Sequence, residues 1–339
     1  MEENSLITNN NALKKKILSI NGGGVRGLIP LYTLREIEKK YDKPIAHIFD
    51  YFAGSSIGTV IISALLISDD GINPIHRCEE LYDMIEKLCK EIFQNSFYHR
   101  ITTAYGWVGS KYPTENLEKI LDQFFGERKL KDLLKPVCYP SFDGLSQKPV
   151  YFTREKHGDL LIKDILRGTT AAPTYFDPKE LLMEGVRLNC GQFDFSDKKH
   201  LLYDSGIVVN NPGLVAELHA THNMRIIDKS QIFELCLGTG DSKVPQPTNN
   251  GMWGWVNSII GYLFSGFNEN EMYQLYLALD KDNVLFVNVD IDSKYDQLDN
   301  ASDESIKYYT SKIEEWMNNN SDRFYDFMDR LLSDKKIDN

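Results

Sequence analysis

The sequence predicts an α/β fold with a mainly parallel sheet and helices on both of its faces, and two repeated patterns carry that prediction. Residues 16–20 form a short apolar run that stops at the glycine cluster Asn21-Gly22-Gly23-Gly24-Val25-Arg26-Gly27. Apolar positions then recur at helical spacing over 28–40, which reads as strand, tight turn and helix. Residues 48–53 repeat the plan, followed by Gly54-Ser55-Ser56-Ile57-Gly58 and an apolar run over 59–67 that suits a helix buried on most sides. Two strand–turn–helix units in succession indicate parallel pairing, because each helix returns the chain to the same end of the sheet.

The remaining elements follow in order. Residues 75–93 read as an amphipathic helix, and Pro113-Thr114-Glu115-Asn116 opens another to residue 125 with Thr114 as its N-cap. Residues 137–140 and 150–153 read as strands, and 164–167 as a short helical piece stopping near Pro173. A strand over 200–203 reaches Asp204-Ser205-Gly206, and a helix covers 213–222. A strand over 232–237 ends at Gly238-Thr239-Gly240, a late strand covers 284–289, and amphipathic helices over 302–317 and 322–332 close the chain. Residues 252–267 (MWGWVNSIIGYLFSGF) fit either a lid or interfacial segment or a core helix with loop ends. Trp253 and Trp255 beside glycine and asparagine suggest a mobile loop.

With 339 residues, 42% of them hydrophobic, and no linker or repeat, the chain reads as one domain. Its motifs occupy 16–240, and 241–339 adds the aromatic segment, a strand and helices. Lys and Arg total 38 against 49 Asp and Glu, a formal charge of -11 that repels nucleic-acid backbones. Any membrane contact is therefore expected to be local and apolar. The polar N-terminus lacks a signal-peptide core, and no apolar run is long enough to span a bilayer. Cys78, Cys89, Cys138, Cys190 and Cys236 are scattered without a CxxC pair, which fits buried thiols in a reducing compartment rather than disulfides or zinc.

Gly54-Ser55-Ser56-Ile57-Gly58 fits G-x-S-x-G between a strand and a helix. A serine exposed at a sharp strand-to-helix turn crowds the residues two before and two after it, so glycine is needed at both places. Only Ser56, not Ser55, has glycines so placed. The plain alternative is a Gly/Ser helix cap without chemistry. Gly22-x-Gly24-x-x-Gly27 also satisfies the dinucleotide fingerprint G-x-G-x-x-G, which would make the protein a nucleotide-binding oxidoreductase. That reading wants an acid at the end of the next strand. Asp42 has roughly the spacing but precedes Pro44 in a loop, and the next strand carries the serine turn instead. An oxyanion turn is the better reading, since consecutive glycines leave N–H groups free to face developing negative charge. Arg26 would hold the turn, attract a phosphate or form a structural ion pair. His219 and His222 fall inside a helix, and His47, His76, His99, His157 and His200 lie in no motif. Asp204, at a strand end, is the better candidate base, provided it is sheltered from water; its plain alternative is a turn aspartate.

Together these residues resemble the patatin-like phospholipases, which use a Ser–Asp dyad without histidine. The glycine turn, the serine turn, Ala171-Ala172-Pro173-Thr174-Tyr175-Phe176 and Asp204-Ser205-Gly206 occur in family order over 16–240. Asn21 stands where the family usually has aspartate, and Ser205 where glycine is more usual. The resemblance implies a three-layer α/β/α sandwich and a lipid acyl hydrolase acting on phospholipids or lysophospholipids at a membrane surface. It implies Ser56 as nucleophile, Asp204 as base, and an oxyanion site from Gly22, Gly23, Gly24 and Ile57. Arg26, Gly27, Gly54, Gly58 and Gly206 would support these, with no metal or other cofactor. It leaves open a catalytically inactive lipid-binding homologue, an activating ligand or protein, and a homo-oligomer. The expected location is cytoplasmic and peripheral to membranes, with delivery into a host cell as an effector also left open.

Overall fold

The structure, a computed structural model, describes residues 14–93, 110–183, 199–226, 228–244, 246–247 and 252–333. Its strands are β1 Lys15–Ile20, β2 Tyr51–Gly54, β3 Val137–Asp143, β4 Lys148–Thr153, β5 Lys179–Leu182, β6 Lys199–Tyr203, β7 Ile232–Leu237 and β8 Val284–Val287. The helices longer than one turn are α1 Leu28–Tyr41, α2 Ile57–Leu66, α3 Cys78–Ile92, α4 Thr114–Phe125, α5 Ile162–Thr169, α6 Gly213–Asn223, α7 Met252–Ala278, α8 Asp303–Asn319 and α9 Ser321–Leu332. One sheet runs β5-β6-β3-β2-β1-β7-β8, with β4 paired to β3. The five strands from β3 to β8 along this path are mutually parallel, while β4 and β6 run antiparallel to β3.

The strand side chains sort by alternation into two apolar layers, as pleating requires. Leu18, Phe52 and Leu235 join the larger core beneath α1, α3, α8 and α9. Their neighbours Ile17, Tyr51, Ala53 and Cys236 face the other way, against Ala216 and Ala220 of α6 and Met272 and Leu275 of α7. A sheet buried on both faces explains why β1 from Ile17 onward and β7 carry apolar residues on both faces, with Ser19 and Glu234 as the polar exceptions. The expected α/β/α layering is the observed one.

Several boundaries differ from expectation. The second strand starts at Tyr51, because Ile45–Ile48 makes one helical turn first. Thr114 is the first helical residue of α4, and the N-cap is Pro113, whose fixed φ suits that entry. Residues 252–267 belong to one long helix, α7, which continues to Ala278. β5 was not anticipated. Cys78, Cys89, Cys138 and Cys236 are buried thiols, and Cys190 lies outside the described residues.

Candidate active site

Strand register brings the two glycine-bearing turns together. Ile20, the last residue of β1, pairs with Gly54, the last of β2, so both turns leave the sheet side by side. A Cβ on Gly27 would stand 2.7 Å from Ile57 Cγ1, which shows how closely the turns pack. Parallel strands joined by crossovers open their functional loops at the carboxyl end, where the serine turn sits.

Ser56 has φ 49° and ψ -120°, a conformation few non-glycine residues adopt. Steric room for it comes from its flanks. A Cβ on Gly54 would lie 2.6 Å from the Gly58 carbonyl carbon, and one on Gly58 would strike the Ile20 carbonyl oxygen. The serine hydroxyl thus stands clear at the N-terminus of α2, and it donates to Asp204 Oδ2 at 2.7 Å. Asp204 arrives from the antiparallel part of the sheet. β2 pairs with the first two residues of β3, β6 with its last two, and β6 then runs back toward the end of β2. Asp204 Oδ1 accepts from the Gly206 N–H at 2.7 Å, and the Asp204 N–H donates to the Ala171 carbonyl. Burial pushes the Asp204 carboxyl up to about 6, against the opposing pull of the hydrogen bonds from Ser56 and Gly206.

The amides of the glycine turn divide into spent and unspent. Asn21 N–H donates to Leu237 O, Val25 N–H to Leu298 O and Arg26 N–H to Gly23 O. Gly22 N–H donates to Asn210 O, so Gly22 is not an oxyanion donor as expected; its part is close packing beside Ser56. The N–H groups of Gly23, Gly24 and Ile57 have no partner among the described residues. Gly24 has φ 56°, and a Cβ there would meet the Leu298 carbonyl oxygen, so glycine is required. Arg26 Nη1 donates to Gly240 O and braces the turn; burial lowers its pKa although Tyr309, Asp241 and Asp296 act to raise it.

Ser56, Ile57 and Gly24 open into a cavity of about 90 Å³. Its walls are almost wholly apolar, built from α2 (Val60), α3 (Ile85, Leu88), α4 (Leu117, Ile120) and the 172–176 segment (Tyr175, Phe176). Sequence reasoning missed these walls, and it missed Asn210 and Leu298, whose carbonyls hold the glycine turn. The cavity's helical residues are legible only as amphipathic stripes, and nothing near Leu298 marks it.

The histidines are elsewhere. His157 Nδ1 accepts from Thr153 N–H, His200 pairs with Asp143, His47 with Ile72 O and His76 with Glu80. His219 packs on Tyr151, and burial lowers its pKa. His99 lies outside the described residues. Asp42 caps α1 in a left-handed conformation with an exposed side chain, rather than ending a strand as a nucleotide site would need. Among the described residues no group of three His, Cys, Asp or Glu could hold a metal, and no helix is long and apolar enough to cross a membrane.

The family model for patatin-like phospholipase matches residues 18–216. Patatin-like protein 6 of Arabidopsis thaliana is 31% identical over 66% of this chain and 46% of its own length. Patatin-like protein 2 of the same plant is 29% identical over 71% of this chain and 64% of its own. A third relative from that plant, named "Probable inactive patatin-like protein 9", is 28% identical over 68% of this chain and 61% of its own. The chain spans about half the length of the curated relatives it matches. Among solved structures, human GIVD cytosolic phospholipase A2 aligns with a TM-score of 0.48 at 11% identity, covering 96% of this chain and 61% of that one. With a family match over more than half its residues, the chain belongs to the patatin-like phospholipase family.

Proposed function

We propose that the protein cleaves ester-linked fatty acids from phospholipids or lysophospholipids through a Ser56–Asp204 dyad. The observation that carries this reading is the 2.7 Å Ser56–Asp204 hydrogen bond opening onto an apolar cavity. Asp204 takes the hydroxyl proton as Ser56 Oγ attacks the ester carbonyl carbon. The oxyanion that forms is met by the unspent N–H groups of Gly23, Gly24 and Ile57. Collapse of the intermediate expels the alcohol, which takes the proton back from Asp204, and leaves an acyl-enzyme. Water then attacks, with Asp204 again the base, and the fatty acid leaves. A carboxylate is a weak base for a serine, and its burial narrows that gap by raising its proton affinity.

The apolar cavity favours a hydrocarbon chain as the acyl group, and the membrane surface is where such chains are found. A lipid-binding homologue without activity is the second reading, since one relative carries the word inactive in its name. The presence of both dyad groups in hydrogen-bonded contact weighs against it here. The test is fatty-acid release from phospholipid mixed micelles without calcium, comparing wild type, Ser56→Ala and Asp204→Asn. Release by wild type with a loss of about 10²-fold or more in each variant is expected. Equal release by all three would mean the site is elsewhere, and no release from any would favour the inactive reading.

A further inference from the structure

Ser56 is held at three points, and one of them comes from a residue at which this chain departs from the family pattern. Its carbonyl oxygen accepts from the Thr59 N–H at 2.9 Å and from Thr59 Oγ1 at 2.6 Å, both local to α2. Its hydroxyl goes to Asp204. Its N–H donates to Ser205 Oγ at 2.6 Å. Ser205 is fully buried, and so are Ser55, Thr59 and Thr169 around it. Ser55 Oγ donates to Val209 O at 2.8 Å, which leaves Ser55 Oγ to accept from Ser205 Oγ at 2.8 Å. The Ser205 hydroxyl proton then goes to Ser55 Oγ, with Thr169 O as a second acceptor at 3.3 Å, and neither takes up the lone pair that meets the Ser56 amide. Ser205 keeps a lone pair aimed at the Ser56 N–H.

We propose that Ser205 is a positioning residue for the dyad, gripping the Ser56 amide while its neighbour Asp204 grips the Ser56 hydroxyl. The inference rests on the dyad reading above. Two adjacent residues of one rigid turn then fix both the backbone and the side chain of the nucleophile. A residue at φ 49° returns to an ordinary conformation unless its surroundings hold it. The local Thr59 bonds hold only the peptide after Ser56. The peptide before it is held at its carbonyl by the Gly58 N–H at 2.8 Å and at its N–H by Ser205, which comes from across the sheet. Without that hydroxyl the half-buried N–H loses its partner, and the turn relaxes to find it another. Relaxation displaces Oγ from Asp204 and from the unspent amides, so the loss falls on the reaction step rather than on substrate binding.

The experiment compares wild type with Ser205→Ala, Ser205→Gly and Ser63→Ala on a short soluble ester, and measures the rate at which a fluorophosphonate labels Ser56. Ser63 is a buried hydroxyl of the same helix that bonds Tyr139 and does not touch Ser56, so it reports general damage from losing a buried hydroxyl. Both Ser205 variants are expected to lose about tenfold to a hundredfold in kcat and in labelling rate. KM should stay within about twofold, and so should every rate of Ser63→Ala. The pH midpoint of labelling should hold or rise, because losing the Ser56 hydrogen bond removes one of the pulls that lower the Asp204 pKa. Rates in both Ser205 variants within about twofold of wild type would overturn the proposal. So would an equal loss in Ser63→Ala, or a midpoint that falls with the loss. If Ser205→Ala does not fold, Ser205→Gly, the residue more usual in the family, carries the comparison. A wild type that fails to label would overturn the dyad reading itself, whereas a labelling wild type with equally reactive Ser205 variants would sink only this inference.

Discussion

At the scale of single residues, the site is held in states that the fold alone would not favour. Asp204 shows this through pH. Its folded carboxyl titrates near 6, above the ordinary aspartate value near 4, because burial disfavours the charge. In the proposed mechanism the base must be ionised, so kcat/KM should rise with pH through about 6 and then level. The stability effect has the opposite sense. Between about 4 and 6 the folded protein binds a proton that the unfolded chain has released, so this group stabilises the fold at low pH and the contribution is lost as pH rises through 6. Wild type should therefore lose up to about 3 kcal/mol relative to Asp204→Asn between pH 4 and pH 7. Urea unfolding of the two proteins at both pH values checks it, and a constant difference would show that Asp204 is not desolvated. Ser56 stores strain of a second kind. Ser56→Gly and Ser56→Ala both remove the hydroxyl, but only glycine is at ease at φ 49°. Ser56→Gly should be the more stable by about 1 kcal/mol after glycine's greater unfolded-state entropy is counted, as read by thermal unfolding. Ser56→Ala matching it would mean the turn relaxes without its serine.

At the scale of elements, legibility followed how local the determining physics is. The β1 and β2 turns were readable because Ile20 and Gly54 pair at the same end of adjacent strands, and a glycine at each end of a five-residue turn has a steric reason. The acid strand was readable from Asp204 at the end of a short apolar run. β5 was not, since Lys-Glu-Leu-Leu lacks β-branched residues and its pairing is with β6 at the edge of the sheet. The Gly22 amide was misread because its partner, Asn210 O, is distant in sequence and belongs to no motif. The helix α7 was half legible: its Trp-Gly-Trp start weakens local helix propensity, while Met272 and Leu275 bury a face that only packing reveals. Its inner side also bonds the site's own loop, through Glu271 to Asn211 N–H and Asn268 to Asn210 Nδ2. Outward it exposes Trp255, Tyr273 and Leu277, which share one line of the helix, with Tyr276 beside them. Aromatic side chains on one face suit the boundary between headgroup and acyl chain. Trp255→Ala with Tyr273→Ala should weaken binding to zwitterionic phospholipid vesicles by about tenfold or more, while soluble ester hydrolysis stays within about twofold. Unchanged vesicle binding would rule out this face as a membrane contact.

At the scale of the whole molecule, the four family motifs end well before the structure does. The match to the family covers 18–216, yet β8 extends the same sheet beside β7, and the Leu298 carbonyl takes the Val25 N–H of the glycine turn. Ile306, Tyr309 and Ile313 of α8, with Phe324, Phe327, Met328 and Leu331 of α9, are buried in the core that also contains Leu18 and Phe52. Each such side chain contributes about 1.5 kcal/mol or more by its burial, so together they are comparable to the about 5–15 kcal/mol by which a folded domain is stable. A chain cut after Gly240 keeps every motif and both dyad residues, but it leaves α1 without its partners α8 and α9 and the glycine turn without an acceptor. It is expected to show no cooperative unfolding transition, to bind a dye for exposed apolar surface, and to react with a fluorophosphonate no faster than Ser56→Ala of the full chain. Cooperative unfolding with normal labelling would make residues 241–339 an accessory layer. The expected result would mean instead that the glycine turn depends on chain that arrives late, well outside the stretch the family model matches.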